Sequence, residues 1–304
     1  MKPLPHDPTL AAVIVSFNRR KDVLKAIESI KAQSYPVSQI IVVDNDSRDG
    51  TVEALRTEHP DVEVIETGRN AGACGGRNIG TRQVTCDLVH YVDDDATLEP
   101  DALEEIVSIF RRFPNMGAVS SLILDPRQNI PFTKSPSLRC YPHPREGSLC
   151  VRMDLLPPDP WPENFFYYGE GMWVALEIYN RGYEVGLWLN SIAHHHVAPG
   201  GHRRSLLFFF ARNSFLLYYQ RFPLALMPPI LAYKVLRSLI AARSPREVWD
   251  WARAMGDSLR LILMGKARRD PITIQAARKY LGAIRHQLEE IGAETDSVTT
   301  ERGP

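Results

Sequence analysis

Short apolar runs alternate with more polar stretches over the first part of the chain. The runs are rich in β-branched residues and too short for helices, so they predict buried strands over residues 11–16, 39–43, 62–65 and 88–92. The segments between them predict helices over residues 22–33, 52–58 and 76–84. Strands and helices in strict alternation predict an α/β fold with a doubly wound, mostly parallel sheet.

The pattern is less regular further along the chain. An amphipathic helix is predicted over residues 101–113 and a strand over 116–124. Residues 125–150 are rich in proline and predict an irregular excursion of the kind that often forms acceptor or lid loops. A helix over 172–181 and a strand over 183–189 follow.

The chain changes character near residue 203, where basic residues begin to alternate with Leu, Phe, Tyr and Met. This part predicts a series of helices, including ones near residues 223–243, 246–264 and 271–290. We therefore divide the chain into an α/β domain, residues 1–202, and a helical extension, residues 203–304. Such helices suit a subdomain packed on the sheet, and they also suit a peripheral contact with a membrane or a partner.

Polar clusters follow each of the four predicted strands, at residues 16–19, 44–46, 70–78 and 93–95. Ligands of parallel α/β sheets bind beyond the carboxyl ends of the strands. The connectivity of the chain therefore brings the four clusters towards one rim, where we expect the functional site.

Three consecutive acids, Asp93, Asp94 and Asp95, end the fourth predicted strand. Carboxylates this close repel one another unless a cation lies between them, and Mg²⁺ or Mn²⁺ prefers oxygen ligands. A solvated acidic turn before the next helix is the alternative interpretation. The local pattern leaves both open, and the four polar clusters at one rim favour the metal.

Composition narrows the classes of function. The chain has 36 basic and 36 acidic residues, so its charge gives no reason to expect nucleic acid binding. Its four cysteines form no CxxC pair, which fits a reducing, cytoplasmic setting. No secretory signal and no apolar run long enough to span a bilayer is expected from the pattern. The glycine-rich stretch at 68–80 contains neither a GxGxxG fingerprint nor a P-loop.

Four motifs in order carry a resemblance to a known family: VIVSFNR, IIVVDNDSRDGT, GRNAGACGGRNIG and HYVDDDATLEP. Together they resemble inverting family 2 glycosyltransferases with the GT-A fold, and most closely the bacterial rhamnosyltransferase- and galactofuranosyltransferase-like branch. The stretch FFYYGEGMWVALEIYNRGYEVGLWLNSIAHHHVAPGG and the segment FFFARN are similar to later parts of that branch. The resemblance covers about residues 11–220.

The resemblance implies roles for individual residues of this chain. Asp44 would hydrogen-bond the nucleobase, and Arg212 would contact the diphosphate. Asp93 and Asp95 would be the outer acids of a D-x-D motif and, with His195, ligands of Mg²⁺ or Mn²⁺; His196 lies one register away. The other residues implied to bind the nucleotide sugar are Ser16, Asn18, Arg69, Asn70, Gly72, Arg77, Asn78 and Asp94.

The acid at position 170 is where this chain departs from the family pattern. The branch usually has two consecutive acids there, and one of them deprotonates the acceptor hydroxyl. This chain has Glu170 followed by Gly171. Glu170 is the local acid that qualifies as the catalytic base. If the family base is the second acid, the chain has lost it.

The resemblance implies transfer of a hexose from a dTDP-rhamnose-type or UDP-sugar donor to a glycan or lipid-linked acceptor, in cell wall or polysaccharide synthesis. The protein would be cytoplasmic or peripheral at the inner face of the cell membrane. The sequence does not decide whether it forms a homo-oligomer. Two other classes stay open: a nucleotidyltransferase that forms sugar nucleotides, and a non-catalytic sugar-nucleotide- or glycan-binding relative of the fold.

Overall fold

The computed structural model of the protein describes residues 3–128, 132–166, 168–196 and 206–301. One sheet runs through the described part, built from strands Leu10–Ser16 (β1), Gln39–Asp44 (β2), Glu63–Glu66 (β3), Leu88–Asp93 (β4), Ala96–Leu98 (β5), Met116–Leu124 (β6), Leu138–Cys140 (β7), Ser148–Arg152 (β8) and Glu184–His195 (β9). The helices are Arg20–Lys31 (α1), Thr51–Glu58 (α2), Gly72–Thr81 (α3), Ala102–Arg112 (α4), Glu170–Asn180 (α5), Leu206–Arg221 (α6), Met227–Ile240 (α7), Pro245–Leu263 (α8) and Ile274–Glu301 (α9).

One half of the sheet is wound as the sequence predicts. Strands β3, β2, β1 and β4 lie side by side in that order and run parallel. Most of their apolar residues are buried, because α1 packs on one face and α3 on the other. A strand covered on both faces has no polar face, which explains the continuous apolar runs.

The other half is mixed, so the sheet as a whole is less parallel than predicted. It continues from β4 through β8, β6 and β9 to β5, with β7 also paired to β9. Strand β8 runs antiparallel to both of its neighbours, and β5 and β7 run antiparallel to β9. Both β7 and β8 come from the stretch 125–150, which the sequence predicts as irregular.

Strand β8 lies inside the sheet, but its polar residues give it the sequence pattern of a loop. Its first residue, Ser148, is buried and bonds His90 Nε2 at 3.0 Å and Ser121 Oγ at 2.8 Å. Its last residue, Arg152, is 1% exposed and forms a two-pronged ion pair with Asp154. Buried polar groups are tolerated when they are paired in this way. The partners of Ser148 lie 58 and 27 residues away in the sequence, so a local pattern does not reveal them.

Glycine in α3 serves close packing. A Cβ atom on Gly76 would lie 2.5 Å from Val15 Cγ1, and one on Gly80 would lie 2.5 Å from Val13 Cγ1. The two glycines are four residues apart and therefore share the helix face that lies on β1. The glycine-rich stretch thus brings α3 against the sheet, and it begins the helix at residue 72 rather than at the predicted residue 76.

The C-terminal helices share a hydrophobic core with the sheet. Tyr280 of α9 packs edge to face on Tyr179 of α5 and on Phe222, with ring centroids 6.0 and 6.1 Å apart. The predicted division between residues 202 and 203 lies outside the described residues and stays a prediction. None of the described helices is both long enough and apolar enough to cross a membrane.

Candidate active site

The polar residues that follow the parallel strands meet at one edge of the sheet. In register, Ser16 of β1 pairs with Asp44 of β2, and Val15 pairs with Asp93 of β4. Ser16 is fully buried and Asp44 is 2% exposed. Three adjacent strands therefore end in polar side chains at the same level, as the connectivity of the chain predicts.

Asp93, Asp95 and His195 form a candidate metal site. Each brings one ligand atom into a group whose members all lie within 4.8 Å of one another. His195 Nε2 lies 2.8 Å from Asp95 Oδ1 and 3.8 Å from Asp93 Oδ2. Two carboxylates and an imidazole at these distances fit a divalent cation such as Mg²⁺ or Mn²⁺.

The surroundings of this site shift the pKa values of Asp94 and Asp95 in opposite directions. The hydrogen bond that His195 donates to Asp95 raises the pKa of His195. Burial raises the pKa of Asp95, but contacts with His195 and Arg19 outweigh it and hold the pKa below its usual value. Burial and the charge of Asp95 raise the pKa of Asp94 to about 7. Asp94 turns the other way, towards the backbone N–H of Phe17 at 3.4 Å.

The strand β9 decides which of three consecutive histidines faces the site. His195 points at the two aspartates, whereas His194 Nε2 lies 3.3 Å from Glu99 Oε1 and His196 Nε2 lies 3.0 Å from Thr97 Oγ1. Successive side chains of a strand point to opposite faces, so the two neighbours of His195 share the other side.

Arg19 belongs to the site and was not predicted to. Its Nη1 lies 3.0 Å from Asp95 Oδ2, and its Nε lies 3.7 Å from Asp94 Oδ1. The only signal in the sequence is its place as the last residue of the polar cluster 16–19, shortly after the first strand. This cation offsets part of the negative charge that the three aspartates concentrate at the rim.

Asp44 carries an open acceptor. Its Oδ2 accepts the backbone N–H of Ser47 at 2.9 Å, whereas its Oδ1 is buried without a hydrogen-bond partner among the described residues. Asn18, in the turn after β1, has a positive φ of 53°. Its Oδ1 accepts the N–H of Arg48 at 2.7 Å, so Asn18 links this turn to the turn after β2. A buried carboxylate oxygen with no partner is costly unless a ligand supplies one.

Arg77 joins Glu170 to the metal site. Its Nη1 donates to Glu170 Oε1 at 2.7 Å and its Nη2 to Asp93 Oδ1 at 2.9 Å. Glu170 is the first residue of α5 and is 4% exposed, and its Oε2 has no hydrogen-bond partner in the described part of the chain. Burial raises the pKa of Glu170, against the opposite effect of Arg77.

Residues 11–150 match the model of a protein family described as Glycosyl transferase family 2. This stretch contains the strands β1 to β4, Asp44 and the three aspartates. Residues 11–150 are therefore similar to the glycosyltransferases of family 2. The catalytic-base candidate Glu170 and His195 lie outside the matched stretch.

Curated glycosyltransferases are similar to parts of the chain. An uncharacterized glycosyltransferase of Haemophilus influenzae is 29% identical over 110 residues, which are 36% of this chain and 37% of that protein. The glycosyltransferase AglE of Haloferax volcanii is 25% identical over 185 residues, 55% of this chain and 60% of that protein. The chain thus spans less than two thirds of the length of either relative.

Solved structures show that the chain has a GT-A fold. TarS of S. aureus (residues 1–349) superposes with a TM-score of 0.62 at 15% identity, over 83% of this chain and 80% of that one. The mannosyltransferase PcManGT of Pyrobaculum calidifontis, in complex with GDP-Man and Mn²⁺, superposes with a TM-score of 0.57 at 20% identity, over 88% and 82%. The predicted fold class is confirmed.

The loop before α3 is held by a hydrogen bond within the loop and by close packing on Phe166. Gly72 has a φ of +73°, and a Cβ there would lie 2.6 Å from Phe166 Cδ2. Asn70 Oδ1 accepts the N–H of Gly72 at 2.9 Å, so its amide shapes the loop. Arg69 and Asn70 are exposed and line a cleft of about 400 Å³. Their contact with a nucleotide stays a prediction.

Asn78 and Arg212, which are predicted to bind the nucleotide sugar, form hydrogen bonds within the protein. Asn78 is fully buried and exchanges two 2.9 Å hydrogen bonds with the backbone of Trp161, so it does not face a nucleotide. Consecutive helical residues differ in direction by about 100°, so Asn78 cannot follow Arg77 into the site. Arg212 donates to Asp257 Oδ2 at 2.6 Å and to the carbonyl of Asn164 at 2.7 Å. Its contact with a diphosphate stays a prediction.

A second glutamate lies at the start of α5. Glu146 Oε1 accepts the backbone N–H of Gly171 at 2.6 Å, although 25 residues separate them. Burial and the charge of Glu170 raise the pKa of Glu146 to about 7. Glu146 lies in the stretch predicted as irregular, and its local sequence gives no sign of this contact.

Proposed function

We propose that this protein transfers a sugar from a nucleotide-diphosphate sugar to a hydroxyl acceptor, with inversion at the anomeric carbon. The observation that carries the proposal is the single sheet edge that holds an open nucleobase acceptor, Asp44, and a cation site, Asp93, Asp95 and His195. A donor that carries both a base and a diphosphate, with the sugar attached beyond the diphosphate, matches this pair of features.

The donor end of the site is the best supported part of the proposal. Asp44 Oδ1 would accept a hydrogen bond from the base, with the buried Ser16 beside it. TarS has been crystallised with UDP-GlcNAc and PcManGT with GDP-Man and Mn²⁺, which supports a nucleotide sugar as the ligand. We propose a dTDP-rhamnose-type or UDP-sugar donor, in keeping with the branch that the motifs resemble.

The residues at the rim would hold the diphosphate through charge. Asp93, Asp95 and His195 would bind Mg²⁺ or Mn²⁺, which would neutralise the negative charge on the leaving diphosphate. Arg19 and Arg77 keep the carboxylates oriented, because each donates to one of these aspartates. Positive groups placed in advance cost no reorganisation when charge develops on the diphosphate.

Glu170 would act on the acceptor. The acceptor oxygen attacks the anomeric carbon and forms the new glycosidic bond. The bond from that carbon to the diphosphate oxygen breaks, and its electron pair leaves with the nucleoside diphosphate. The hydroxyl proton passes to a carboxylate, and the unpaired Oε2 of Glu170 is the predicted acceptor of that proton.

The acceptor is proposed to be a glycan or a lipid-linked molecule, handled at the inner face of the cell membrane. Tyr233, Leu236 and Ile240 of α7 are 56, 57 and 72% exposed and share one face of the helix. The basic residues Arg237 and Arg243 are exposed beside them. Apolar side chains flanked by basic ones suit an anionic lipid surface.

Vesicles test the membrane contact. The double variant Leu236→Glu/Ile240→Glu is expected to lower co-sedimentation with phosphatidylglycerol vesicles at least about 10-fold, because it removes buried apolar area and adds like charge. Lys25→Glu on α1, which is exposed on another part of the surface, is the control for added charge. Equal sedimentation of the double variant and the wild type would contradict the contact.

Product release tests the reaction itself. The protein is incubated with UDP-, dTDP- and GDP-sugars, Mn²⁺ and a panel of glycan and lipid-linked acceptors. Release of nucleoside diphosphate that requires both Mn²⁺ and acceptor is the expected result. Release of pyrophosphate from a nucleoside triphosphate and a sugar phosphate would indicate a nucleotidyltransferase instead. Saturable donor binding without any turnover would indicate a non-catalytic binding protein.

A further inference from the structure

The glycine at position 171 is required by the packing around it. A Cβ atom there would lie 2.6 Å from Glu146 Oε1 and 2.6 Å from the carbonyl oxygen of Pro144. Contacts this short do not occur for real Cβ atoms, and the Pro144 oxygen belongs to the backbone and cannot swing away. An acid at 171 would therefore need the space that the stretch from Pro144 to Glu146 occupies.

Glu146 is held at this place from two sides. Its Oε1 accepts the N–H of Gly171 in the first turn of α5, where the helix dipole favours a negative charge. The next residue, Gly147, accepts the N–H of Asp93 at 3.2 Å, and a Cβ on Gly147 would lie 2.7 Å from Asp93 Oδ2. Glu146 is therefore fixed between the start of α5 and the metal-binding end of β4.

The charges around Glu146 are unbalanced. The ion-pair partners of Arg77 in the described structure are Glu170 and Asp93. Together with Glu146, three carboxylates therefore share the charge of one guanidinium. Among the described residues, the charges of Glu146 and Glu163 also act on Cys74, whose thiol is neutral because burial raises its pKa. Two neighbouring carboxylates that share too little positive charge tend to hold one proton between them.

We propose that Glu146 supplies the second carboxylate at the start of α5, in the space that a side chain at 171 would need, and shares the acceptor proton with Glu170. This inference rests on the proposed transfer reaction. Glu170 meets the hydroxyl and Glu146 acts through it, as a positioning residue. The proton leaves the acceptor oxygen as that oxygen bonds the anomeric carbon, and the Glu146–Glu170 pair holds it until it passes to solvent.

A purely structural role for Glu146 makes a different prediction. As a helix cap it would need only an oxygen that accepts the N–H of Gly171, and a glutamine supplies one. Glu146→Gln therefore keeps the cap and removes the charge. Glu28→Gln on the exposed face of α1 is the matched control.

The pH profile of transfer separates the two roles. In the wild type we expect kcat to rise with pH through an apparent pKa near 7, since the pair must be free of its proton to act as a base. Glu146→Gln leaves Glu170 with Arg77 alone. Without the second negative charge the acid limb should move at least about one pH unit lower, and a weaker base should lower the maximal kcat about 10-fold. Donor KM should not change.

A second measurement needs no turnover. Burial raises the pKa of Glu146 in the folded protein above its usual value of 4.5, to about 7. The unfolded chain loses this proton first as pH rises, so Glu146 destabilises the folded protein progressively between these pH values and by a constant amount above them. The Tm of Glu146→Gln minus that of the wild type should therefore increase from pH 4.5 to pH 8, and Glu28→Gln should show no such trend.

The outcomes keep this inference apart from the proposed function. A wild type that turns over while Glu146→Gln has an unchanged pH profile and an unchanged Tm difference would overturn the role of Glu146 and leave glycosyl transfer standing. A wild type without turnover on any donor would refute transfer. The Tm difference would still test proton sharing, and a flat difference would refute that as well.

Discussion

Asp95→Asn is expected to lower metal-dependent donor binding at least about 100-fold. Loss of a residue that only supports a metal ligand typically costs 10- to 100-fold in affinity, and Asp95 is proposed as a ligand itself. Asp95 also bonds His195 and Arg19, at 2.8 and 3.0 Å, so its charge holds two further groups of the site in place. Calorimetric titration of UDP, dTDP and GDP in the presence and absence of Mn²⁺ measures the effect.

Asparagine keeps the size of the side chain, so the variant should fold. Asp61→Asn removes an exposed aspartate that pairs with Lys31 at 2.6 Å, far from the rim, and should bind donor like the wild type. Binding by Asp95→Asn that still depends on Mn²⁺ at wild-type affinity would show that the metal is held elsewhere.

Glu170→Gln is expected to lower kcat about 100- to 10,000-fold, the usual worth of a general base. Glutamine can still accept the hydrogen bond of Arg77, so the buried contact and the donor site are preserved. The loss should appear in transfer and leave donor affinity unchanged. Single-turnover release of nucleoside diphosphate, combined with calorimetry of donor binding, separates the two quantities.

The same variant discriminates between roles for Glu170. Loss of donor binding together with transfer would mean that Glu170 mainly holds Arg77 and Asp93, as the 2.7 and 2.9 Å contacts allow. Transfer at the wild-type rate would mean that Glu170 is not the base. Replacement by alanine is less informative, because Arg77 would keep Asp93 but lose the acceptor of its Nη1, and an unsatisfied buried donor is costly to stability.

Apolar patterning predicted the parallel half of the sheet within one or two residues. Its strands are covered on both faces, so their buried residues are consecutive and form short apolar runs in the sequence. The same rule failed for β8, whose Ser148 and Arg152 are polar but buried. Their partners, His90, Ser121 and Asp154, satisfy them in the folded protein, and a local window contains only one of the three.

Much of the candidate site was also predictable, for a topological reason. The carboxyl ends of parallel strands lie at one edge, so residues after β1, β2 and β4 had to meet. Asp44, Asp93 and Asp95 lie at this edge as expected, and their binding roles stay predictions. Asn78 was misplaced because its amide bonds the backbone of Trp161, and Arg19 was missed because its partners, Asp94 and Asp95, follow a different strand.

The sequence by itself determined the α/β alternation, the acids at the ends of the strands and the absence of a side chain at position 171. Each of these depends on residues close together in the chain. Only the tertiary structure decided that His195 rather than His194 or His196 faces the aspartates, and that Glu146 fills the space beside Gly171. The reason is physical: strand pairing selects the face of β9, and a contact across 25 residues depends on how a loop packs on a helix.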